Sequence, residues 1–330
     1  MESRSWPCHS SRVQPPHPPL NEAFNLFRVG RLAEAQAIVE HHAAARDPDA
    51  LFTLGDMYWR GVAVAQDLGR ARELFEAASD VGHPMAIRAF TNLLSTGIGG
   101  QRDWPLALTR LEKEARTDGL RRAMLSLIRK MEIDGNGDPL TLAPPDQLSG
   151  DPGVWMFRGA FSADECNFLK LLAEPNYQRS VVNMDGRDVP DPIRTSDGST
   201  VHWLIENPAS HAINRRLAAL SRTSVEQGEP LQILRYRPGQ QYHPHFDWVP
   251  DANRRILTAL VYLNDDYEGG DTRFPKVDLS IKGRKGDALL FRNIGRDGSF
   301  DPLSEHSGMP VESGTKYLAS RWIRERRYSA

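Results

Sequence analysis

Two hydrophobic periodicities divide the chain. From about residue 21, alanine, leucine and phenylalanine recur at three- and four-residue spacing, as in RARELFEAAS and LALTRLEKEA, and this spacing predicts amphipathic helices. Beyond about residue 154, short apolar runs such as LQILRYR, RILTALVYL and KYLASRWI are separated by turn-forming clusters such as NDDYEGGD, which is typical of strands. The pattern therefore predicts a helical first half and a second half built from β-sheet.

The helical half repeats itself at a fixed distance of 36 residues. The residues that recur at this distance include Gly61 and Gly97, Asp67 and Asp103, and Ala71 and Ala107. Such a period indicates a solenoid in which each helix pair covers the apolar face of its neighbour. We expect the glycines to end one helix and the aspartates to open the next.

The phrases LGDMYWRG, QDLGRARELFEAAS and VGHPMA give this half a resemblance to the tetratricopeptide-like units called Sel-one-like repeats, over roughly residues 20–137. The resemblance implies an α-solenoid with a concave surface. Surfaces of that kind commonly hold peptides.

Composition sets the expected domain limits. Residues 1–20 are rich in proline, serine and histidine, which predicts a disordered tail before a helical repeat domain at 21–137. Residues 138–153 contain four prolines and two glycines and are expected to be an interdomain linker. Residues 154–330, with many short strands and two helices, predict an antiparallel double-sheet barrel, the jelly roll or double-stranded β-helix. The expected fold class is therefore α+β and multidomain.

Overall composition narrows the expected partners. The chain has 41 basic and 43 acidic residues, so it lacks the electrostatic signature of nucleic-acid binding. Its two cysteines, Cys8 and Cys166, predict no disulfide framework and a reducing compartment. The sequence has neither a membrane-span-length apolar stretch nor the apolar core of a signal peptide. We expect a cytoplasmic protein without membrane or nucleic-acid partners, whose oligomeric state the sequence does not indicate.

The stretch YRPGQQYHPHFDWV contains the pair His245 and Asp247. Side chains two residues apart lie on one face of a strand, so this imidazole and this carboxylate can reach one metal ion. The pair alone is a weak signal, because a lone histidine is more often an ordinary surface or core residue. Of the ten histidines, His306 alone follows Asp247, and it precedes a strong strand pattern. His306 is therefore the candidate for a third ligand.

Lys316 follows His306 and begins the last strand of the pattern. An isolated ammonium group in a water-poor barrel is costly, and no acidic residue shares its strand face, which also carries Leu318, Ser320 and Trp322. We therefore expect a ligand carboxylate as its partner. Two histidines and one carboxylate form the facial triad of non-haem Fe(II) oxygenases, which leaves metal positions for 2-oxoglutarate and O₂. Zinc accepts the same ligands, but a zinc hydrolase does not need the buried lysine.

With these residues in place, residues 155–327 resemble the prolyl 4-hydroxylase alpha-subunit oxygenase domain. The phrases that carry the resemblance are IRTSDGST, GEPLQILRYRPGQQYHPHFDW, ILTALVYLNDDYEGGDTRFP, GRKGDALLFRN and EHSGMPVESGTKYLASRWIRE. The resemblance implies that the catalytic iron is held by three residues, His245, Asp247 and His306. It also implies that Lys316 pairs with the C5 carboxylate of 2-oxoglutarate, and that Tyr236 and Thr272 form hydrogen bonds in the same cofactor pocket.

The same resemblance assigns a peptide groove to five residues, Arg194, Ser196, Glu229, Tyr242 and Trp322. Arginine, serine and glutamate can bind peptide backbone groups, and aromatic faces can hold a proline ring. The residues by themselves leave alternatives open. Tyr236 and Trp322 alternate with apolar residues and could belong to the core, and Glu229 and Arg194 could form a structural ion pair.

The implied reaction is hydroxylation of a peptidyl residue, with proline as the expected residue, succinate and CO₂ as products, and ascorbate as the expected reductant. Collagen is not the expected substrate, because collagen-type members are secreted and disulfide-bonded. Phe246 and Trp248 stand where tyrosines are commoner in the family, a difference that bears on substrate shape. Two alternatives remain: the same chemistry on another residue or a small metabolite, or a non-catalytic interaction protein built on the repeats.

Overall fold

The computed structural model describes residues 20–184, 187–202 and 204–328, with only the backbone given for 181–184 and 187–190. The chain divides into two compact units, Met1–Asp103 and Trp104–Ala330. The tail predicted for residues 1–20 lies outside the described residues, apart from Leu20, which is buried. Among the described helices, none has the length and apolar character that a membrane crossing requires.

The first unit consists of helices that each pack on the next along the chain. Their bounds are α1 (Asn21–Arg28), α2 (Leu32–Ala44), α3 (Pro48–Arg60), α4 (Leu68–Asp80) and α5 (Pro84–Thr96). The helices approach closely because alanines occupy their buried faces, among them Ala35, Ala50, Ala78 and Ala86. The prediction of a helical repeat array for this part of the chain is confirmed.

The ends of α3 and α5 show the repeat at the level of single residues. The side chain of Asp47 caps α3 by accepting a 2.9 Å hydrogen bond from the backbone of Ala50. His83, 36 positions later, caps α5 through Nδ1, which accepts from the backbone of Ala86 at 3.1 Å. Both helices end at a left-handed glycine, as predicted, with φ of +66° and +78°. Positions 36 residues apart therefore have the same structural role, even where their side chains differ.

The second unit begins with helices and continues mainly as strands. Its helices are α6 (Trp104–Glu114), α7 (Gly119–Ile128), α8 (Ala163–Ala173) and α9 (Pro208–Ser221). Its strands are β1 (Pro145–Ser149), β2 (Val154–Phe157), β3 (Gln178–Arg179), β4 (Val181–Met184), β5 (Arg187–Pro190), β6 (Asp197–Val201), β7 (Leu231–Tyr236), β8 (Tyr242–His245), β9 (Arg255–Tyr262), β10 (Tyr267–Gly269), β11 (Thr272–Phe274), β12 (Leu279–Ile281), β13 (Ala288–Arg292), β14 (His306–Gly308), β15 (Val311–Gly314) and β16 (Lys316–Arg324).

Two antiparallel sheets form the core of this unit. The larger sheet has the order β1-β2-β13-β9-β16-β7-β6-β3, and a smaller sheet has the order β12-β11-β14-β8. One apolar cluster joins the inner faces of the two sheets, with members such as Leu234, Tyr262, Phe274 and Phe291. A second cluster packs the outer face of the larger sheet against α8 and α9. The predicted double-sheet jelly roll is confirmed.

The compact units divide at a different place from the domain limits expected from the sequence. Helices α6 and α7, expected in the repeat domain, belong to the second unit because their apolar faces pack on α8 and α9. The residues that join them include Trp104, Leu111, Met124, Phe168 and Ala212. The expected linker also contains an ordered element, the edge strand β1. Its first residue is Pro145, and proline is tolerated at the start of an edge strand.

Candidate metal centre

Two of the three predicted metal ligands are paired residues of the smaller sheet, and the third lies just beyond it. His245 ends β8 and His306 begins β14, and the two residues are direct partners in the antiparallel ladder. Asp247 lies two residues beyond His245, where the chain has left the strand. Pairing of two strand ends therefore brings together residues that are about sixty positions apart in sequence.

The side chains of these residues form a compact, mostly buried cluster. The distance from Asp247 to His245 is 3.6 Å between Oδ1 and Nε2, and to His306 it is 3.4 Å between Oδ2 and Nε2. One candidate ligand atom from each of the three residues lies within 4.8 Å of the others. Asp247 and His306 are only 4% and 5% exposed. The cluster has the size and the donor types of a metal site with two imidazoles and one carboxylate.

Backbone carbonyl groups set the tautomer of both imidazoles. His245 Nδ1 donates to the carbonyl of His243 at 2.7 Å, and His306 Nδ1 donates to the carbonyl of Ser304 at 3.0 Å. A carbonyl only accepts, so each Nδ1 carries the proton and each Nε2 keeps its lone pair. Among the described residues, the buried Nε2 of His245 finds no hydrogen-bond partner. Both rings thus present a free lone pair toward the Asp247 carboxylate, which is the arrangement that a bound cation requires.

The charge state of the cluster also suits a cation. Burial by itself would raise the pKa of Asp247, but the charge that His306 carries when protonated, together with the adjacent His245, holds that pKa well below its ordinary range. Burial and the neighbouring charge of His306 lower the pKa of His245, which Asp247 opposes. An ionised carboxylate and neutral imidazoles are the protonation states that metal binding needs.

Lys316 lies in the same pocket, on the larger sheet opposite Tyr236. The lysine is 3% exposed, and its Nζ donates to the carbonyl of Gly270 at 2.6 Å. In the described part of the chain, no carboxylate lies within ion-pairing distance of this Nζ. Burial lowers the pKa of Lys316 to about 8, an effect that the charge of Asp271 partly opposes. The pocket therefore holds a buried cation with spare hydrogen-bonding capacity.

Most of the predicted cofactor and substrate residues line this pocket. Besides the ligands and Lys316, the lining includes Arg194, Tyr236, Tyr242, Thr272 and Trp322. The Tyr242 ring stacks on the His245 imidazole with centroids 3.5 Å apart. Thr272 Oγ1 lies 3.1 Å from the hydroxyl of Tyr262. Trp322 Nε1 and Arg194 Nε are buried and have no hydrogen-bond partner within the part of the chain that the structure describes.

Two residues predicted to bind substrate are not brought to the pocket lining. The Glu229 carboxylate is held by other side chains: it accepts from Arg255 at 2.6 and 2.9 Å and from Arg324 at 2.6 Å. Glu229 therefore forms structural ion pairs, as the alternative interpretation predicted, but Arg194 is not its partner. Arg194 instead donates to Gln232 at 3.1 Å. Ser196 is fully buried and lies 3.2 Å from the hydroxyl of Ser180.

Other residues of the pocket were not predicted as site residues. Ser307 and Gly308 line it because they follow His306 along β14, and Met309 comes directly after that strand. Leu318 and Ser320 line it together with Lys316 and Trp322, so the strand face read from the sequence was the right one. Arg255 lies beside the pocket, with its guanidinium 3.8 Å from the centre of the Trp322 ring. Nothing in the sequence indicated this role for Arg255, because only the pairing of β9 with β16 brings Trp322 next to it.

Comparison with known proteins matches this part of the chain. A family model described as the 2OG-Fe(II) oxygenase superfamily covers residues 231–324. Prolyl 4-hydroxylase 1 of Arabidopsis thaliana is 37% identical over 204 residues, which are 55% of this chain and 72% of the relative. Among solved structures, a viral collagen prolyl hydroxylase from Paramecium Bursaria Chlorella virus-1 is 26% identical, with a TM-score of 0.42 over 52% of this chain and 95% of the other. A Sel1 repeat protein from Oxalobacter formigenes is 23% identical, with a TM-score of 0.27 over 29% of this chain and 40% of the other.

Proposed function

This chain belongs to the prolyl 4-hydroxylase family of 2OG-Fe(II) oxygenases, and on that basis we propose that it hydroxylates proline residues of a peptide or protein. The reaction uses Fe(II), 2-oxoglutarate and O₂ and releases succinate and CO₂. The observation that carries the proposal is the meeting, in one pocket, of a two-histidine, one-carboxylate cluster with an unpaired buried lysine. A zinc hydrolase would use the first feature but not the second.

His245, Asp247 and His306 would hold the iron. The fit rests on the orphaned Nε2 of His245 and on the carbonyl bonds that keep both imidazoles in the metal-binding tautomer. When bound, iron and 2-oxoglutarate supply the oxidising chemistry, and the protein contributes orientation and a dry cavity. The burial of Asp247 and His306 keeps solvent from the ligands.

Lys316 would bind the distal carboxylate of 2-oxoglutarate. A dianionic ligand gives this cation the partner that the described side chains do not, and a charge-assisted hydrogen bond in a buried site is strong. Tyr236 and Thr272 line the same pocket and can add hydrogen bonds to the ligand.

Tyr242, Trp322 and Arg194 would receive the peptide. Tyr242 and Trp322 offer aromatic faces to a proline ring. Trp322 Nε1 and Arg194 Nε are donors without acceptors, and burying such donors is costly unless a ligand satisfies them. Peptide carbonyl groups are acceptors of the right kind. This pattern favours a peptide over a small metabolite.

Two further parts of the proposal concern conditions rather than the site. Ascorbate would return iron to Fe(II) after turnovers that lack substrate. The cytoplasm is the proposed location, and the buried free thiol of Cys166 is compatible with its reducing environment.

The test is succinate release by the full chain with Fe(II), 2-oxoglutarate and ascorbate, in the presence of a proline-containing peptide library or of small metabolites. We expect the library to stimulate release and mass spectrometry to find one added oxygen on proline. Asp247→Ala and His306→Ala should each abolish turnover, whereas His41→Ala, an exposed histidine of the first unit, should not. Oxygen added to another residue or to a metabolite would replace the proline assignment. No succinate and no Fe(II) binding would refute the enzyme and favour an interaction protein.

A further inference from the structure

Asp247 is a buried carboxylate on irregular backbone. The segment that follows β8 has no regular secondary structure, yet Asp247 is only 4% exposed. Its Oδ2 accepts a 2.7 Å hydrogen bond from the hydroxyl of Thr258. Thr258 lies on β9 between β13 and β16 and is 1% exposed. A ligand outside regular secondary structure is thereby tied to a central strand of the larger sheet.

Asn293 lies behind Thr258 and determines where the hydroxyl proton points. It is fully buried, directly after β13, and its side-chain amide donates to Thr258 Oγ1 at 3.0 Å. A threonine hydroxyl has one proton. Since Asn293 fills an acceptor site of the hydroxyl, that proton is free for a carboxylate at 2.7 Å, which outcompetes the Asn293 Oδ1 at 3.4 Å. The chain of bonds thus runs from Asn293 through Thr258 to Asp247.

The two imidazoles cannot replace this bond. When both are neutral, as metal binding requires, each Nε2 presents a lone pair to the carboxylate, because each Nδ1 already donates to a carbonyl. A lone pair does not attract a carboxylate at 3.4 or 3.6 Å. The hydroxyl of Thr258 is therefore a hydrogen-bond donor to Asp247 that does not depend on the protonation of the imidazoles.

We propose that Thr258 and Asn293 are positioning residues for the metal-binding carboxylate. Asn293 orients the hydroxyl of Thr258, and this hydroxyl engages one oxygen of Asp247 and turns the carboxylate toward the two imidazoles. The inference rests on the proposed role of Asp247 as an iron ligand. Hydrogen bonds of this kind orient ligands, and removing them typically costs roughly 10- to 100-fold in metal affinity.

The test compares Thr258→Val, which keeps the shape but removes the hydroxyl, with Thr258→Ser, which keeps the hydroxyl. The dissociation constant for Fe(II) is measured anaerobically on the full chain, without cosubstrate, by competition with a chelator. We expect Thr258→Val to weaken Fe(II) binding by roughly 10- to 100-fold and Thr258→Ser to stay close to wild type. Asn293→Leu should weaken binding less. The double variant Thr258→Val with Asn293→Leu should be no weaker than Thr258→Val alone, because both act through one contact.

Thr53→Val, at a buried threonine of α3, is the matched control for placing a methyl group in a core, and it should leave Fe(II) affinity unchanged. Unchanged affinity in Thr258→Val would overturn the proposal. Equal weakening in Thr258→Ser and Thr258→Val would also overturn it, since packing would then be the cause. If Thr258→Val does not fold, the Fe(II) affinity of Asn293→Leu is the deciding measurement. Wild-type affinity in that variant would refute the role proposed for Asn293 and Thr258. Failure of the wild-type protein to bind Fe(II) would instead refute the proposed function.

Discussion

On one face of β16, the guanidinium of Arg321 is buried against backbone carbonyl groups, donating to Glu229 at 3.0 Å, Asn214 at 3.2 Å and Val225 at 2.9 Å. On the other face, Lys316 is equally buried but donates to the carbonyl of Gly270. Burial lowers the pKa of both cations. The same strand therefore carries a cation whose hydrogen bonds are used within the fold and a cation with bonds left over. The difference separates a structural charge from one that awaits a ligand.

Side chains alternate between the two faces of β16, which explains how one strand can carry both kinds of cation. Lys316, Leu318, Ser320 and Trp322 face the metal pocket, whereas Ala319 and Ile323 join the cluster under α8 and α9. A strand has a period of two, so its two faces can be specialised independently. Unsatisfied donors collect on the pocket face, where the Nε1 of Trp322 also lacks a partner.

Arg321→Met should have the largest effect on stability. It removes the three hydrogen bonds that this buried guanidinium donates to backbone carbonyl groups, and at about 1 kcal/mol for each the second unit should lose about 3 kcal/mol of unfolding free energy. Denaturant titration measures the loss as a lower midpoint with an unchanged slope. Turnover per folded molecule should be little affected. An unchanged midpoint would mean that the hydrogen bonds of Arg321 do not stabilise the fold. Arg321 and Lys316 would then not differ in their contribution to stability.

Lys316→Met should impair binding of 2-oxoglutarate and leave stability intact, the opposite of what is expected for Arg321→Met. The KM for 2-oxoglutarate should rise roughly 10- to 100-fold, the equivalent of about 1.5–3 kcal/mol for a hydrogen bond to a charged group. The unfolding free energy should stay the same or increase, because a buried cation with little compensation is removed. Lys282→Met, at a lysine paired with Glu268 on the surface, is the control. Loss of stability without any change in this KM would make Lys316 a structural residue.

The affinity for 2-oxoglutarate should fall with rising pH, whereas the stability of the fold should increase. Because the pKa of Lys316 is lowered to about 8, the free enzyme loses the ammonium charge above that pH, and the KM for 2-oxoglutarate should rise by up to about tenfold per pH unit. The unfolded chain holds this proton up to its ordinary pKa of about 10.4, so it binds more protons than the fold between these values. Stability from this group should therefore increase with pH across that window. Lys316→Met should remove both slopes, and a wild-type KM that is flat through pH 9 would contradict the assignment.

Sequence reasoning succeeded where function depends on local pattern. The two-residue spacing predicted that His245 and Asp247 lie together, although β8 ends at His245. Strand parity placed Lys316 with Trp322, and the period of 36 residues located the glycines that end α3 and α5. These features depend on neighbours in sequence, which periodicity reads directly.

It failed where the answer depends on which distant elements meet. Glu229 resembled a peptide-binding residue until the fold supplied Arg255 and Arg324 as its partners. Thr258 and Asn293 gave no signal, since only the pairing of β13 with β9 brings them together and only the fold brings Thr258 to Asp247. The position of α6 and α7 likewise depended on the helices that their apolar faces cover. A hydrophobic pattern indicates that a face of a helix or strand is buried, but it does not indicate which element covers that face.

Trp322→Phe should give the smallest effect and the finest test of the pocket face. It removes the Nε1–H donor and keeps an aromatic ring beneath the Arg255 guanidinium. If that donor serves a peptide carbonyl, the KM for the peptide should rise roughly two- to tenfold, as expected for a hydrogen bond of about 0.5–1.5 kcal/mol, while the KM for 2-oxoglutarate stays constant. Trp155→Phe is the matched control, because Arg292 lies over that ring on the same sheet and no substrate role is assigned to it. Equal kinetic effects of the two substitutions would show that the change acts through packing of the sheet, and the unpaired indole of β16 would then not be a ligand donor.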